Sequence, residues 1–245
     1  MTSPSTIAFI GGGNMARSLI GGLIARGTAP ADIRVSEPVD ALRDALARDF
    51  GVSAGADNAE AVGRAGLWVL AVKPQVLRMV CEALAPLAQA QRPLVVSIAA
   101  GITATQLQRW LGGGVAVVRA MPNTPALLGA GVTGLFASTE VDANGRERAA
   151  KLLSSAGKTV WIESETLMDA VTAVSGSGPA YIFLLAEAME AAALSEGRGY
   201  SRAIPACRST TFGAALDVAW TETAGRADGP VAPRKMHLHG DFGAH

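Results

Sequence analysis

The chain has 245 residues, with 21 Lys plus Arg against 21 Asp plus Glu and 49% hydrophobic residues. The formal net charge of zero gives no electrostatic basis for binding nucleic acid or an anionic membrane, while the apolar content suffices for one large or two small cored domains. The two cysteines, Cys81 and Cys207, form no CxxC pair, so a reducing, cytoplasmic setting without a disulfide framework is expected.

No basic residues precede the first apolar run, which ends after four residues in glycine. That pattern predicts no signal peptide, and no segment approaches the roughly 18 uninterrupted apolar residues of a membrane span. The run Ile7-Ala8-Phe9-Ile10 breaks into Gly11-Gly12-Gly13, after which Met15, Leu19, Ile20 and Leu23 recur at helical spacing. This reads as strand, tight turn and helix. Gly11 and Gly13 with Ala16 match the G-x-G-x-x-G/A form: one glycine makes the turn, one admits a pyrophosphate, and a small third residue packs helix on strand. Unpaired amides at the helix start would hold the phosphates; a plain glycine-rich turn is the alternative.

The second strand is expected at Ile33-Arg34-Val35-Ser36-Glu37, closed by Pro38. An acidic residue there takes the ribose hydroxyls of NAD, whereas a small polar one leaves room for a 2′-phosphate. Ser36 and Glu37 point in opposite directions, and Glu37 also reads as a solvated loop carboxylate. Helical spacing follows over 40–50, and Asn58 opens a short helical stretch. The apolar run Leu67-Trp68-Val69-Leu70-Ala71-Val72 is expected as a doubly buried strand ending at Lys73-Pro74. Its end and that of the next strand, Ser97-Ile98-Ala99-Ala100-Gly101, should face a cofactor, with Lys73 alternatively a plain surface charge. Val115-Ala116-Val117-Val118-Arg119 is expected as a further strand running into Ala120-Met121-Pro122-Asn123-Thr124-Pro125, a stiff polar loop suited to a nicotinamide ring or simply a rigid connector. A helix over 140–154 and a strand Thr159-Val160-Trp161-Ile162 complete what reads as a parallel α/β domain. Beyond Glu163 the pattern is helical, broken at Ser175-Gly176-Ser177-Gly178-Pro179, whose amides and hydroxyls suit a substrate carboxylate or form a helix–helix elbow.

These blocks stand in the order found in pyrroline-5-carboxylate reductases, which the chain resembles over about residues 5–197. The most specific are Val118-Arg119-Ala120-Met121-Pro122-Asn123-Thr124-Pro125 and Thr172-Ala173-Val174-Ser175-Gly176-Ser177-Gly178-Pro179-Ala180-Tyr181. The resemblance implies an α/β fold: an N-terminal Rossmann-type dinucleotide-binding domain (1–163) and a helical substrate and dimerisation domain (164–229), altered after 197, with an atypical tail (230–245) expected to be disordered. It implies reduction of the cyclic imine 1-pyrroline-5-carboxylate to proline by NADPH, with NADH the alternative. It also implies homodimers that assemble further. Carried onto this chain, Gly11, Gly12, Gly13, Asn14, Met15, Ser36, Asn58, Ala71, Val72, Lys73, Pro74, Ala99, Ala100 and Gly101 contact the cofactor. Met121, Pro122 and Asn123 lie by the nicotinamide, and Ser175, Gly176, Ser177, Gly178 and Glu222 by the substrate.

The side-chain inventory agrees independently. His237, His239 and His245 are the three histidines, so the α/β body offers no histidine base for an alcohol dehydrogenase. A protonated imine accepts hydride without one. A hydroxyacid dehydrogenase on a similar plan would need a lysine in the helical domain, and none lies between Glu163 and Arg234. His237 and His239 lack further well-spaced ligands, so no metal site is expected.

The family's Ser-Pro-Gly-Gly-Thr-Thr substrate loop is absent after Gly197, although Thr210-Thr211-Phe212-Gly213-Ala214-Ala215 and Thr221-Glu222 resemble the family's next helix. Small frame changes account for such a tail, and a family-like loop is then expected in another reading frame near 235–245. The alternative functional reading is an impaired or inactive NAD(P)-binding remnant, with apolar residues over 180–194 left without partners and prone to aggregation.

Overall fold

In the computed structural model, the residues described are 6–195. The glycine-rich turn stands where expected, between strand β1 (Ile7–Ile10) and helix α1 (Asn14–Ala25). Strand β2 (Ile33–Ser36), helix α2 (Asp40–Phe50), strand β3 (Ser53–Gly55), helix α3 (Asn58–Val62) and strand β4 (Leu67–Leu70) follow. Next come helix α4 (Pro74–Gln91), strand β5 (Leu94–Ser97), helix α5 (Ala104–Trp110) and strand β6 (Ala116–Met121). Strand β7 (Gly131–Ala137), helix α6 (Ala143–Leu153), strand β8 (Gly157–Trp161), helix α7 (Met168–Val171) and helix α8 (Gly178–Ser195) complete the described chain.

The sheet order is β3-β2-β1-β4-β5-β6-β7-β8. The first six strands are parallel and in the doubly wound order, with the direction of winding reversing between β1 and β4, where ligands bind in such sheets. The expectation of a purely parallel domain needs correction. β7 runs antiparallel to β6, and β8 returns parallel to β7. Two strands escaped the pattern reading, the three-residue β3 and the seven-residue β7. The two glycines of β7 hide it, and both serve close approach. A Cβ at Gly131 would lie 2.8 Å from Ala126 Cα, and one at Gly134 would lie 2.7 Å from Val171 Cγ1.

Alternation along β1 sends Phe9 to one face and Ala8 and Ile10 to the other, all fully buried. Phe9 joins Leu19, Leu46, Val69 and Val96 under α1 and α2. Ala8 and Ile10 join Trp68, Leu77, Leu84 and Val95 under α4. Burial on both faces explains why these strands read as unbroken apolar runs. Sheet and flanking helices belong to one compact unit, 1–181, with a second beginning at Ile182 within α8. Among the described residues no helix is long and apolar enough to cross a membrane.

Candidate dinucleotide and substrate site

Gly11 has φ +103°, its amide donates to the Ser36 carbonyl at 2.7 Å, and a Cβ there would lie 2.6 Å from the Ala71 carbonyl oxygen. Only glycine closes this turn over the β1–β4 junction. Gly12 donates its amide to Glu37 Oε2 at 2.8 Å. Gly13 is the N-cap of α1 with no side-chain cap, and a Cβ there would meet nothing within 4 Å. The first turn of α1 therefore has uncapped amides, with exposed Asn14 and half-buried Met15 beside them. Orphan amides and the positive end of the helix dipole favour a phosphate there, so the residues present fit a dinucleotide pyrophosphate.

At the end of β2, Ser36 is buried and its hydroxyl donates to Asn58 Oδ1 at 2.7 Å, which links β2 to the start of α3. The neighbouring Asp57 caps α3 by accepting the Ala59 amide at 2.6 Å. A groove of about 450 Å³ is lined by Ala56, Asp57, Asn58, Ala59, Ala83 and Leu84. Glu37 is not the solvated loop carboxylate that its position also allowed. It is only 7% exposed, and its second oxygen accepts the Val39 amide at 3.0 Å. Arg43 Nη1 donates to the Glu37 carbonyl at 2.7 Å and pairs with Asp40.

The ends of β4 and β5 lie at the same edge of the parallel sheet as those of β1 and β2. Ala71 donates its amide to the Ile10 carbonyl at 2.8 Å, Val72 is half-buried, and exposed Lys73 is the N-cap of α4, with Pro74 opening the helix. Ala99 is buried, while Ala100 and Gly101 (φ +74°) are exposed just before α5.

The structure brings together the two blocks expected at the nicotinamide and the substrate. β6 extends through Met121, beyond the expected strand end at Arg119, and Pro122 behind it is buried. Residues Thr172–Gly176 form a π-helical turn, closed by a bond from the Ser177 amide to the Thr172 carbonyl at 2.8 Å. Single π turns in otherwise α-helical runs recur at functional sites. A Cβ at Gly176 would lie 2.5 Å from Met121 Cε, and Asn123 Nδ2 lies 3.5 Å from Ser175 Oγ. Asn123 Oδ1 accepts the Val132 amide at 2.9 Å, which orients its side chain. Ser177 and Gly178 are half-buried at the start of α8. Glu222, His237, His239 and the rest of the tail lie outside the described residues.

One polar element was not singled out from sequence. Arg119 is 6% exposed on β6, and its Nη1 donates to Glu165 Oε1 at 2.8 Å. A buried cation demands a partner, so an arginine within an apolar strand is itself a signal, although nothing in the sequence identifies which carboxylate answers it.

Comparison with known proteins adds the family. Residues 6–101 match the family model described as NADP oxidoreductase coenzyme F420-dependent, and residues 165–228 match that described as pyrroline-5-carboxylate reductase dimerisation. The chain is 50% identical over 215 residues to a pyrroline-5-carboxylate reductase of Pseudomonas aeruginosa, covering 88% of this chain and 78% of that one.

The chain belongs to the pyrroline-5-carboxylate reductase family.

A solved pyrroline-5-carboxylate reductase from Coxiella burnetii superposes with a TM-score of 0.82 at 38% identity, covering 92% of this chain and 82% of that one. The Plasmodium falciparum member, solved with NADP bound, shares the fold with a TM-score of 0.75 at 24% identity, covering 94% of this chain and 85% of that one. The family's α/β organisation thus agrees with the sheet and helices described above.

Proposed function

We propose that this chain is an NAD(P)H-dependent pyrroline-5-carboxylate reductase, reducing the imine bond of 1-pyrroline-5-carboxylate to give L-proline, the last step of proline biosynthesis. The observation that carries this reading is the meeting of the β6 loop with the π turn. Met121 packs on Gly176 and Asn123 reaches Ser175, in a chain half identical to a reductase of that name. The bound dinucleotide supplies hydride.

The protein's own residues bind and orient. The α1 amides beyond Gly13 take the pyrophosphate, and Ser36 and Asn58 take the adenosine ribose. Ala71, Val72, Lys73 and Pro74 with Ala99, Ala100 and Gly101 line the crevice between strand ends. Met121, Pro122 and Asn123 hold the nicotinamide from one side. The hydroxyls and amides at Ser175, Gly176, Ser177 and Gly178 take the substrate carboxylate, with Glu222 near the ring. Positioning of this kind carries much of such a reaction. A protonated imine is already electrophilic and reaches the site with its proton, consistent with a chain that has no histidine before His237.

The reductant in this reading is NADPH, with NADH the alternative that Glu37 keeps open. Arg43, bonded to the Glu37 carbonyl, supplies a cation at the corner where a 2′-phosphate would lie, while the Glu37 carboxylate opposes one. The division into residues 1–163 for the dinucleotide and 164–229 for substrate and dimer is supported by the dimerisation match over 165–228. Exposed Tyr181, Leu184 and Leu185 on α8 suit a homodimer. Cytoplasmic residence is supported by a free, buried Cys81. The test is substrate-dependent oxidation of the reduced dinucleotide.

A further inference from the structure

We propose that Glu165, acting through Arg119, is a positioning residue that holds three loops of the site in mutual register for hydride transfer. The proposal rests on the reductase reading above. One carboxylate oxygen, Glu165 Oε1, accepts both from Arg119 Nη1 at 2.8 Å and from the Ala104 backbone amide at 2.6 Å. Each partner leads directly into a different part of the site. Ala104 opens α5, three residues after Gly101. Arg119 stands two residues before Met121 on the same strand. Glu165 itself begins a short 3-10 turn, Glu165–Leu167, that continues without a break through α7 into the π turn carrying Ser175 and Gly176.

The Ala104 amide is one of the first-turn donors that a helix cannot satisfy internally, and the capping box of Thr103 and Gln106 serves other groups. The Arg119 side chain is 7% exposed and that of Glu165 is 24% exposed, so the pair is shielded from screening and holds one geometry. Buried Met168 anchors the helical run from Glu165 to the π turn, and Gly176 at its far end abuts Met121. A shift of Glu165 is therefore passed along a short packed rod to Ser175. A misplacement of about 1 Å at a reacting centre costs roughly a hundredfold in rate.

The experiment compares wild type with Glu165→Asp, which keeps the charge and shortens its reach, and with the charge-neutral double variant R119Q/E165Q. Each variant is first shown to be folded by circular dichroism and to bind reduced dinucleotide by fluorescence titration. The expected result is a fall in kcat of about tenfold to a hundredfold, a dinucleotide dissociation constant within about threefold of wild type, and a larger primary isotope effect with C4-deuterated cofactor. The emission of the bound reduced nicotinamide should also change, because its environment is no longer fixed. Folded variants with wild-type kcat overturn the proposal, as does a loss of dinucleotide affinity in step with kcat. If wild type itself shows no turnover, the reductase reading fails, and the nicotinamide emission alone decides: unchanged emission in the variants overturns the positioning role, and altered emission supports it.

Discussion

The Glu37 carboxylate accepts the Gly12 amide at 2.8 Å, tying the end of β2 to the centre of the glycine-rich turn. With its other oxygen on the Val39 amide, the side chain is held at the end of β2 while keeping lone pairs for further donors. A carboxylate fixed there repels a 2′-phosphate and attracts ribose hydroxyls. Glu37→Ser is therefore expected to raise the ratio of kcat/KM for NADPH over that for NADH by about tenfold, the equivalent of about 1.4 kcal/mol of removed repulsion. Steady-state kinetics with both cofactors reads it, and an unchanged ratio would show that Glu37 only braces the turn.

Two glycines two residues apart should fail differently when replaced by alanine. At Gly13 the added methyl meets no protein atom and the backbone is extended, a conformation alanine adopts freely. The N-cap preference for glycine over alanine is offset by the lower entropy of the unfolded alanine chain, so the variant should keep its melting temperature to within about 2 °C. The methyl would occupy the phosphate cradle, and the dinucleotide dissociation constant should rise at least about tenfold. At Gly11 the methyl would strike the Ala71 carbonyl at 2.6 Å from a left-handed backbone, a strain of about 1–3 kcal/mol. That variant should melt about 5 °C lower. Calorimetry alongside dinucleotide titration separates the two, and equal losses of stability would contradict the account.

Burial pushes the Cys81 thiol up to about 12, with the negative charge of Glu82 a lesser contribution. The thiolate is the nucleophile, so at pH 8 the native chain should alkylate at Cys81 roughly a thousandfold more slowly than the denatured chain. The sign for stability follows from proton affinity. The folded state holds this proton more tightly, so the contribution of Cys81 is complete below the ordinary thiol range and is lost as pH rises towards 12. Peptide mapping after iodoacetamide treatment at increasing pH tests this, and rapid labelling at pH 8 would refute it.

What could be read from the residues, and what could not, follows from how each feature is encoded. β1, β4 and β5 announce themselves because both faces are buried, and α1 because Leu19, Ile20 and Leu23 fall on one stripe. β7 is obscured because Gly131 and Gly134 yield to Ala126 and Val171, contacts that exist only in the folded molecule. The glycine turn and the two blocks around Met121 and Ser175 are legible as motifs, yet their meeting depends on the antiparallel return of β7. The Arg119–Glu165 bond spans 46 residues and leaves no periodic trace. Glu37 shows the limit most plainly: its position is readable, whereas its bond to Gly12 requires β2 to lie beside β1.

The central claim is tested most directly by adding 1-pyrroline-5-carboxylate to the purified chain with NADPH, and separately with NADH, and following cofactor oxidation together with proline formation. The account predicts oxidation that depends on substrate and yields one proline per dinucleotide consumed. A folded chain that binds the dinucleotide but oxidises none of it when substrate is added would contradict the account.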